Sequence, residues 1–222
     1  MPLVESRADV PVTVDASLCL EGCTLRTADA DPFAAALPDP DHRVRLRAIS
    51  GLVSAGAARL VAGAAADRSR EVRAAVADGP AELAAELNGT GSADAREALE
   101  RLATDSDVLV RAAAFKAAGA LGCPPPLDTL AARVLRGPAQ HADAWEVRAG
   151  AAQALAAASP AVAVGPLAGA VSDPHANVRK AAVAALAPMH AYPGVAAVLY
   201  AAASDSDADV RALARHAAAT RK

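Results

Sequence analysis

The chain has 222 residues and a formal net charge of −3, with a pI near 5.9; this balance argues against nucleic acid as a partner, because phosphate binding needs a basic stripe that releases counterions. Hydrophobic residues are 54% of the chain and aromatics 2%, and alanine supplies most of the apolar share, which favours closely packed helices. The longest apolar run, Ala161–Val171, is too short to span a bilayer, so membrane insertion is not expected.

Residues 1–31 read as an arm distinct from the rest of the chain. Glu5, Arg7 and Asp9 interrupt any secretory signal, and three cysteines, an odd number, suit a reducing compartment; both point to the cytoplasm. Val10–Asp15 alternates like a short strand, and Cys19 and Cys23 lie beyond it, four positions apart. This stretch resembles the opening of a bacterial ferredoxin-like domain, in which a strand leads into a cysteine-rich loop around an iron-sulfur cluster. Arg26 stands where a further cysteine would be expected, and no downstream Cys-Pro is present, so the segment is a degenerate version of that motif. Two thiols do not hold such a cluster alone. The arm is therefore an end cap or loose segment, half of a four-thiolate site shared with another subunit, or a Cys19–Cys23 disulfide.

From residue 32 onward one phrase returns six times: an Asp, a short polar gap, then Val-Arg and small apolar residues at helical spacing. Its arginines are Arg45, Arg73, Arg111, Arg148, Arg179 and Arg211, separated by 28, 38, 37, 31 and 32 residues, a period that signifies stacked helix pairs. Each phrase opens the second helix of a pair. The apolar stripes run Val44, Ala48, Leu52, Ala55 in the first repeat and Val110, Ala114, Ala118, Leu121 in the third. Val147, Gly150, Ala154, Leu155 form the fourth and Val178, Ala182, Ala185, Met189 the fifth. First helices are expected over Phe33–Leu37, Ala57–Ala66, Ala95–Ala103, Leu127–Leu135, Ala161–Val171 and Gly194–Ala203. Asp78, Gly79 and Pro80 should end the second helix of the second pair, with a short helix over Ala81–Leu87 and a loop at Asn88–Ser92 after them. Ser159-Pro160 reads as a helix start, Gly122 and Gly137 as stops, and Ser204 or Asp205 as the start of the last helix. Arg215, His216, Arg221 and Lys222 should complement the dipole of that last helix.

In five phrases Asp lies six positions before Arg: Asp39 and Arg45, Asp67 and Arg73, Asp105 and Arg111, Asp173 and Arg179, Asp205 and Arg211. The Asp is placed to cap the second helix and the Arg sits in its first turn. These phrases resemble HEAT repeats of the short bacterial kind, from about Pro32 to the end. That resemblance implies an all-α, right-handed solenoid over 32–222, in which Asp and Arg hydrogen-bond between neighbouring repeats as a ladder. The fourth repeat departs from the pattern, with Ala142 where Asp belongs and Asp143 one place later, which puts the rung at Arg148 in question.

No catalytic constellation stands out. His42, His175, His190 and His216 are single, no phosphate loop is present, and Cys123 before three prolines reads as an inert thiol. No cofactor is expected. Short HEAT-like repeats also occur in phycobiliprotein lyases, yet the aromatics Phe33, Phe115, Trp145, Tyr192 and Tyr200 are dispersed rather than gathered for a tetrapyrrole. Helical-repeat DNA glycosylases need a basic groove that this chain does not offer. The favoured function is a non-catalytic scaffold, an adaptor or regulatory subunit that binds another protein through the surface of the second helices. Trp145, next to Glu146 and close to His141 and Asp143, reads either as packing at a repeat junction or as a binding hot spot. The arm adds a redox enzyme or ferredoxin as a candidate partner, and with it an iron-sulfur oxidoreductase as an alternative association.

Overall fold

The computed structural model describes residues 30–86, 93–136 and 143–219. The expectations for the arm, for Cys19 and Cys23, for the Asn88–Ser92 loop, for Gly137 and His141, and for Arg221 and Lys222 lie outside those residues. The described residues form helices and turns with no strand. They make six pairs: α1 Asp31–Ala36 with α2 His42–Ser54; α3 Ala58–Gly63 with α4 Arg70–Glu86; α5 Ala93–Leu102 with α6 Val108–Ala120; α7 Leu127–Arg136 with α8 Trp145–Leu155; α9 Pro160–Ala170 with α10 Ala176–Leu186; α11 Val195–Ala202 with α12 Ala208–Ala219.

The second helices pack side by side in chain order, α2 on α4, α4 on α6, α6 on α8, α8 on α10 and α10 on α12. The first helices form an outer layer, with α3 on α5 and α7 on α9. This α-solenoid has one continuous core threaded between the two layers, containing Leu52, Val61, Leu99, Phe115, Leu127, Leu155, Leu167, Leu186 and Leu199. Each pair covers its apolar face only by leaning on the next.

Alanine and glycine set how close the layers come. A Cβ on Gly150 would lie 2.9 Å from the carbonyl oxygen of Ala112, so α8 sits almost backbone to backbone on α6. Gly79 serves the same purpose in α4. A Cβ there would meet Val53 Cγ2 at 2.9 Å and Val61 Cγ1 at 3.1 Å. This corrects the expected break at Asp78–Pro80: α4 runs unbroken through Gly79 and Pro80 to Glu86. Burial of Val72, Val76 and Ala77 against the neighbouring helices offsets the hydrogen bond and steric fit that an internal proline costs, about 3 kcal/mol.

The stripes of the fourth and fifth repeats are buried throughout. The first repeat differs. Val44 is 36% exposed, while Val72, Val110, Val147, Val178 and Val210 in the matching positions are fully buried. Each of those five has a preceding pair to cover it, and among the described residues Val44 has only the short α1 nearby. Ile49 and Val53 carry the burial of α2 in its place.

Candidate functional site

Two features are expected to matter, the repeated Asp and Arg and the isolated Trp145, and both are placed by the layer of second helices. The arginine of each of the first five phrases reaches across to the aspartate of the next phrase. Arg45 Nε and Nη2 donate to Asp67 at 2.7 and 2.8 Å. Arg73 grips Asp105 at 2.7 and 3.0 Å, Arg148 grips Asp173 at 2.7 and 2.8 Å, and Arg179 grips Asp205 at 2.8 Å through both nitrogens. The remaining Nη1 turns back and donates to the carbonyl of the arginine's own phrase: Asp39 for Arg45, Asp67 for Arg73, Asp105 for Arg111, Asp173 for Arg179 and Asp205 for Arg211. Within one phrase, then, the six-residue spacing brings the guanidinium to the aspartate's backbone. From Asp67 onward the carboxylate belongs to the preceding repeat's arginine.

The aspartates do not cap the second helices as expected. Their carboxylates accept the backbone N–H two residues on, at Asp41, Ser69, Asp107, His175 and Asp207, which forms a tight turn. The caps are the residues after that turn: Asp41 for α2, Asp107 for α6, the His175 ring for α10 and Asp207 for α12. The last helix accordingly starts at Ala208 rather than at Ser204 or Asp205. Arg215 likewise does not serve its own helix end, but donates to the carbonyl of Ala203 at the end of α11.

The shifted fourth phrase still supplies rungs. Asp143 accepts Arg111 Nη2 at 2.7 Å, but with this single bond the Arg111 Nε is left buried without a partner among the described residues. One residue of shift has turned a two-pronged grip into a single contact. The rung questioned at Arg148 is intact and is the most buried of the set, with side-chain exposures of 8% for Arg148 and 5% for Asp173. The hydrogen bonds from Arg45, Arg73 and Arg179 pull Asp67, Asp105 and Asp205 below the usual carboxylate range. Burial pushes Asp173 the other way, and the bonds from Arg148 and the His175 N–H outweigh it. These arginines are committed to structure.

Trp145 opens α8 and stacks on the His175 ring of the next repeat, with centroids 4.2 Å apart and planes 7° from parallel. It therefore packs at a repeat junction, and at 36% exposure it still presents an edge to solvent. That edge borders a groove of 560 Å³ running over α8, α10 and α12. Trp145 and Leu213 bound it, Ala149, Ala181 and Ala185 contribute to its lining, and Gln153, Asn177 and Lys180 supply the polar groups. Leu213 is not marked out by the repeat phrase; its signal is a large apolar residue at an outward position of an otherwise alanine-rich helix. A larger cleft, 690 Å³, lies at the starts of α2, α4 and α6. Its cations are already engaged: Arg68 donates to the carbonyl of Pro40, and Arg70 pairs with Glu71 and Asp107. There the Ser69 hydroxyl, a backbone N–H and Arg70 together take Glu71 down to about 2.

No group of histidine, cysteine, aspartate and glutamate suited to a metal ion occurs among the described residues. None of the described helices is long and apolar enough to cross a membrane. Cys123 is buried, and burial pushes its thiol up to about 12.

The repeated ladder and the paired helices correspond to a known family, and residues 57–156 and 139–219 match the HEAT repeats. The chain belongs to the HEAT-repeat family. No curated protein matches it in sequence. Among solved structures, this HEAT-repeat chain is similar to the complex of CpcE and CpcF of phycocyanin lyase from Nostoc sp. PCC7120, at 19% identity and a TM-score of 0.64, covering 96% of this chain and 79% of that one. It is also similar to a designed armadillo repeat protein in complex with the peptide (KR)4, at 19% identity and a TM-score of 0.61, covering 87% of this chain and 100% of that one. At these identities the likeness is one of fold, and it places the HEAT repeats here among armadillo-like solenoids.

Proposed function

We propose that this HEAT-repeat array is a non-catalytic protein-binding scaffold, an adaptor or regulatory subunit that holds a segment of a partner protein on the surface of its second helices. The observation that carries the reading is the groove over α8, α10 and α12, where alanines leave room between Trp145 and Leu213. A partly exposed tryptophan beside an open apolar trough has the make-up of a binding anchor. The arginines of the ladder are spent on holding the repeats together, whereas Trp145 and Leu213 take no part in the ladder and remain partly exposed along the groove.

A photo-crosslinking residue introduced at Gln153, which lines the groove, tests the reading in native lysate. The expected product is a polypeptide adduct that disappears in Trp145→Ala, with helical circular dichroism showing the variant folded at the assay temperature despite the lost stack on His175. The fold shared with the phycocyanin lyase complex supports a second reading, an accessory subunit that handles a chromophore. Recovery of a tetrapyrrole adduct with no polypeptide would replace the first reading with the second. A redox enzyme or ferredoxin as the partner, in an iron-sulfur oxidoreductase, rests on Cys19 and Cys23 alone.

A further inference from the structure

Resting on the scaffold reading, we propose that the groove takes an acidic and apolar peptide segment, with a partner carboxylate seated on Lys180. Of the residues lining it, Lys180 alone carries a charge; the others are alanines, two amides, Trp145 and Leu213. The lining is thus locally positive on a chain whose net charge is −3. A basic segment would meet the Lys180 ammonium on the groove wall, whereas an acidic one would be drawn to it in competition with the exposed Asp209.

The current partner of Lys180 makes the exchange easy. Lys180 Nζ lies 3.3 Å from Asp209 of α12, and the Asp209 side chain is 74% exposed. An ion pair with one partner so open to water is weak, and a carboxylate brought in by a docked segment gains more from Lys180 because the segment itself excludes solvent. The remaining polar groups suit a chain rather than a compact small molecule. Gln153 on α8 and Asn177 on α10 line the same trough, and each amide offers both a donor and an acceptor to a peptide backbone. Apolar side chains of the segment would lie on the alanine lining between Trp145 and Leu213.

The chain contains one tryptophan, so the fluorescence of Trp145 reports directly on the groove. The full chain is titrated with synthetic peptides of about ten residues in which leucines and alanines flank a central Glu, Gln or Lys. The Glu peptides should bind about tenfold more tightly than the Lys peptides and shift the emission to shorter wavelength. Lys180→Glu should reverse that order. Asp209→Ala, which frees Lys180, should strengthen binding of the Glu peptides about threefold. A preference for the Lys peptides, or a Glu preference that Lys180→Glu leaves intact, would overturn the assignment of the partner's charge while leaving the scaffold reading standing. A shift in Trp145 emission that depends only on protein concentration would put a second copy in the groove and overturn the assignment as well. Failure of every peptide together with loss of the polypeptide crosslink at Gln153 would overturn both.

Discussion

Arg148 and Asp173 form a two-pronged ion pair, Nε to Oδ2 at 2.7 Å and Nη2 to Oδ1 at 2.8 Å, that ties α8 to the turn before α10 while both residues are nearly closed to water. Removing one member strands the other in a low-dielectric site, so Arg148→Ala should cost about 3–5 kcal/mol. Arg111 is more open and holds Asp143 by one bond, and Arg111→Ala should cost less, about 1–3 kcal/mol. Denaturant melts of the two variants should rank in that order; equal losses would mean that the second prong contributes nothing.

Acid should dismantle the ladder at a defined point. The carboxylates of Asp67, Asp105, Asp173 and Asp205 are held below their ordinary values in the folded chain. A lowered folded value means that the stabilisation is complete above the unfolded aspartate range and is lost as pH falls below it, from roughly pH 4 downward. Helical circular dichroism tracked from pH 7 to pH 2 should therefore be flat at first and then fall. Asp173→Asn, which removes one of the four linked protons, should make the fall less steep.

Two glycines should respond with opposite sign to the same substitution. Gly150→Ala drives a methyl against the Ala112 carbonyl across the α6–α8 contact, and the resulting overpacking should destabilise by about 1–3 kcal/mol despite alanine's better helix propensity. Gly169 in α9 has open space where its Cβ would go, so Gly169→Ala should stabilise by up to about 1 kcal/mol. Thermal melts of the pair give the comparison.

The Cys123 thiol should be unreactive in the folded chain. It is buried and stays protonated up to about pH 12, so iodoacetamide at pH 8 should leave its peptide unmodified until denaturant is added. Mass spectrometry of the digested protein reads this residue separately from Cys19 and Cys23. Labelling at native rates equal to those of a model thiol would show that the site opens.

Much of this architecture is legible in the residue pattern because a unit repeated six times reveals its own register. The helix pairs and the buried stripes of the fourth and fifth repeats come from that register. The ladder role of Asp and Arg comes from the resemblance to HEAT repeats; the structure adds Asp143 as a rung, while the Asp39 carboxylate and Arg211, at the two ends, join no rung among the described residues. What the pattern does not carry is contact between distant positions. Gly79 has the local character of a breaker, but the side chains of Val53 and Val61 pressing on it explain why a glycine stands there, and the burial of Val72, Val76 and Ala77 keeps the helix running through. The capping role expected of the aspartates falls instead to Asp41, Asp107, His175 and Asp207, because the aspartate of each of those phrases closes a turn onto the N–H two residues on and the helix begins only after that turn. Trp145 stands out in the sequence, but its stack on His175 joins residues 30 positions apart that no local rule connects. Leu213 becomes visible as a groove wall only once the facing of α12 is known.

Because each guanidinium from Arg45 to Arg179 clasps a carboxylate from the next unit, every junction is made of the same two chemical halves. Excising one whole helix pair between matching points would bring together an arginine and an aspartate that had never been neighbours, yet they would already fit. Such a molecule can change its length by duplication or loss of complete modules without inventing a new seam, while a single-residue slip leaves a lasting mark, as the orphaned nitrogen of Arg111 records.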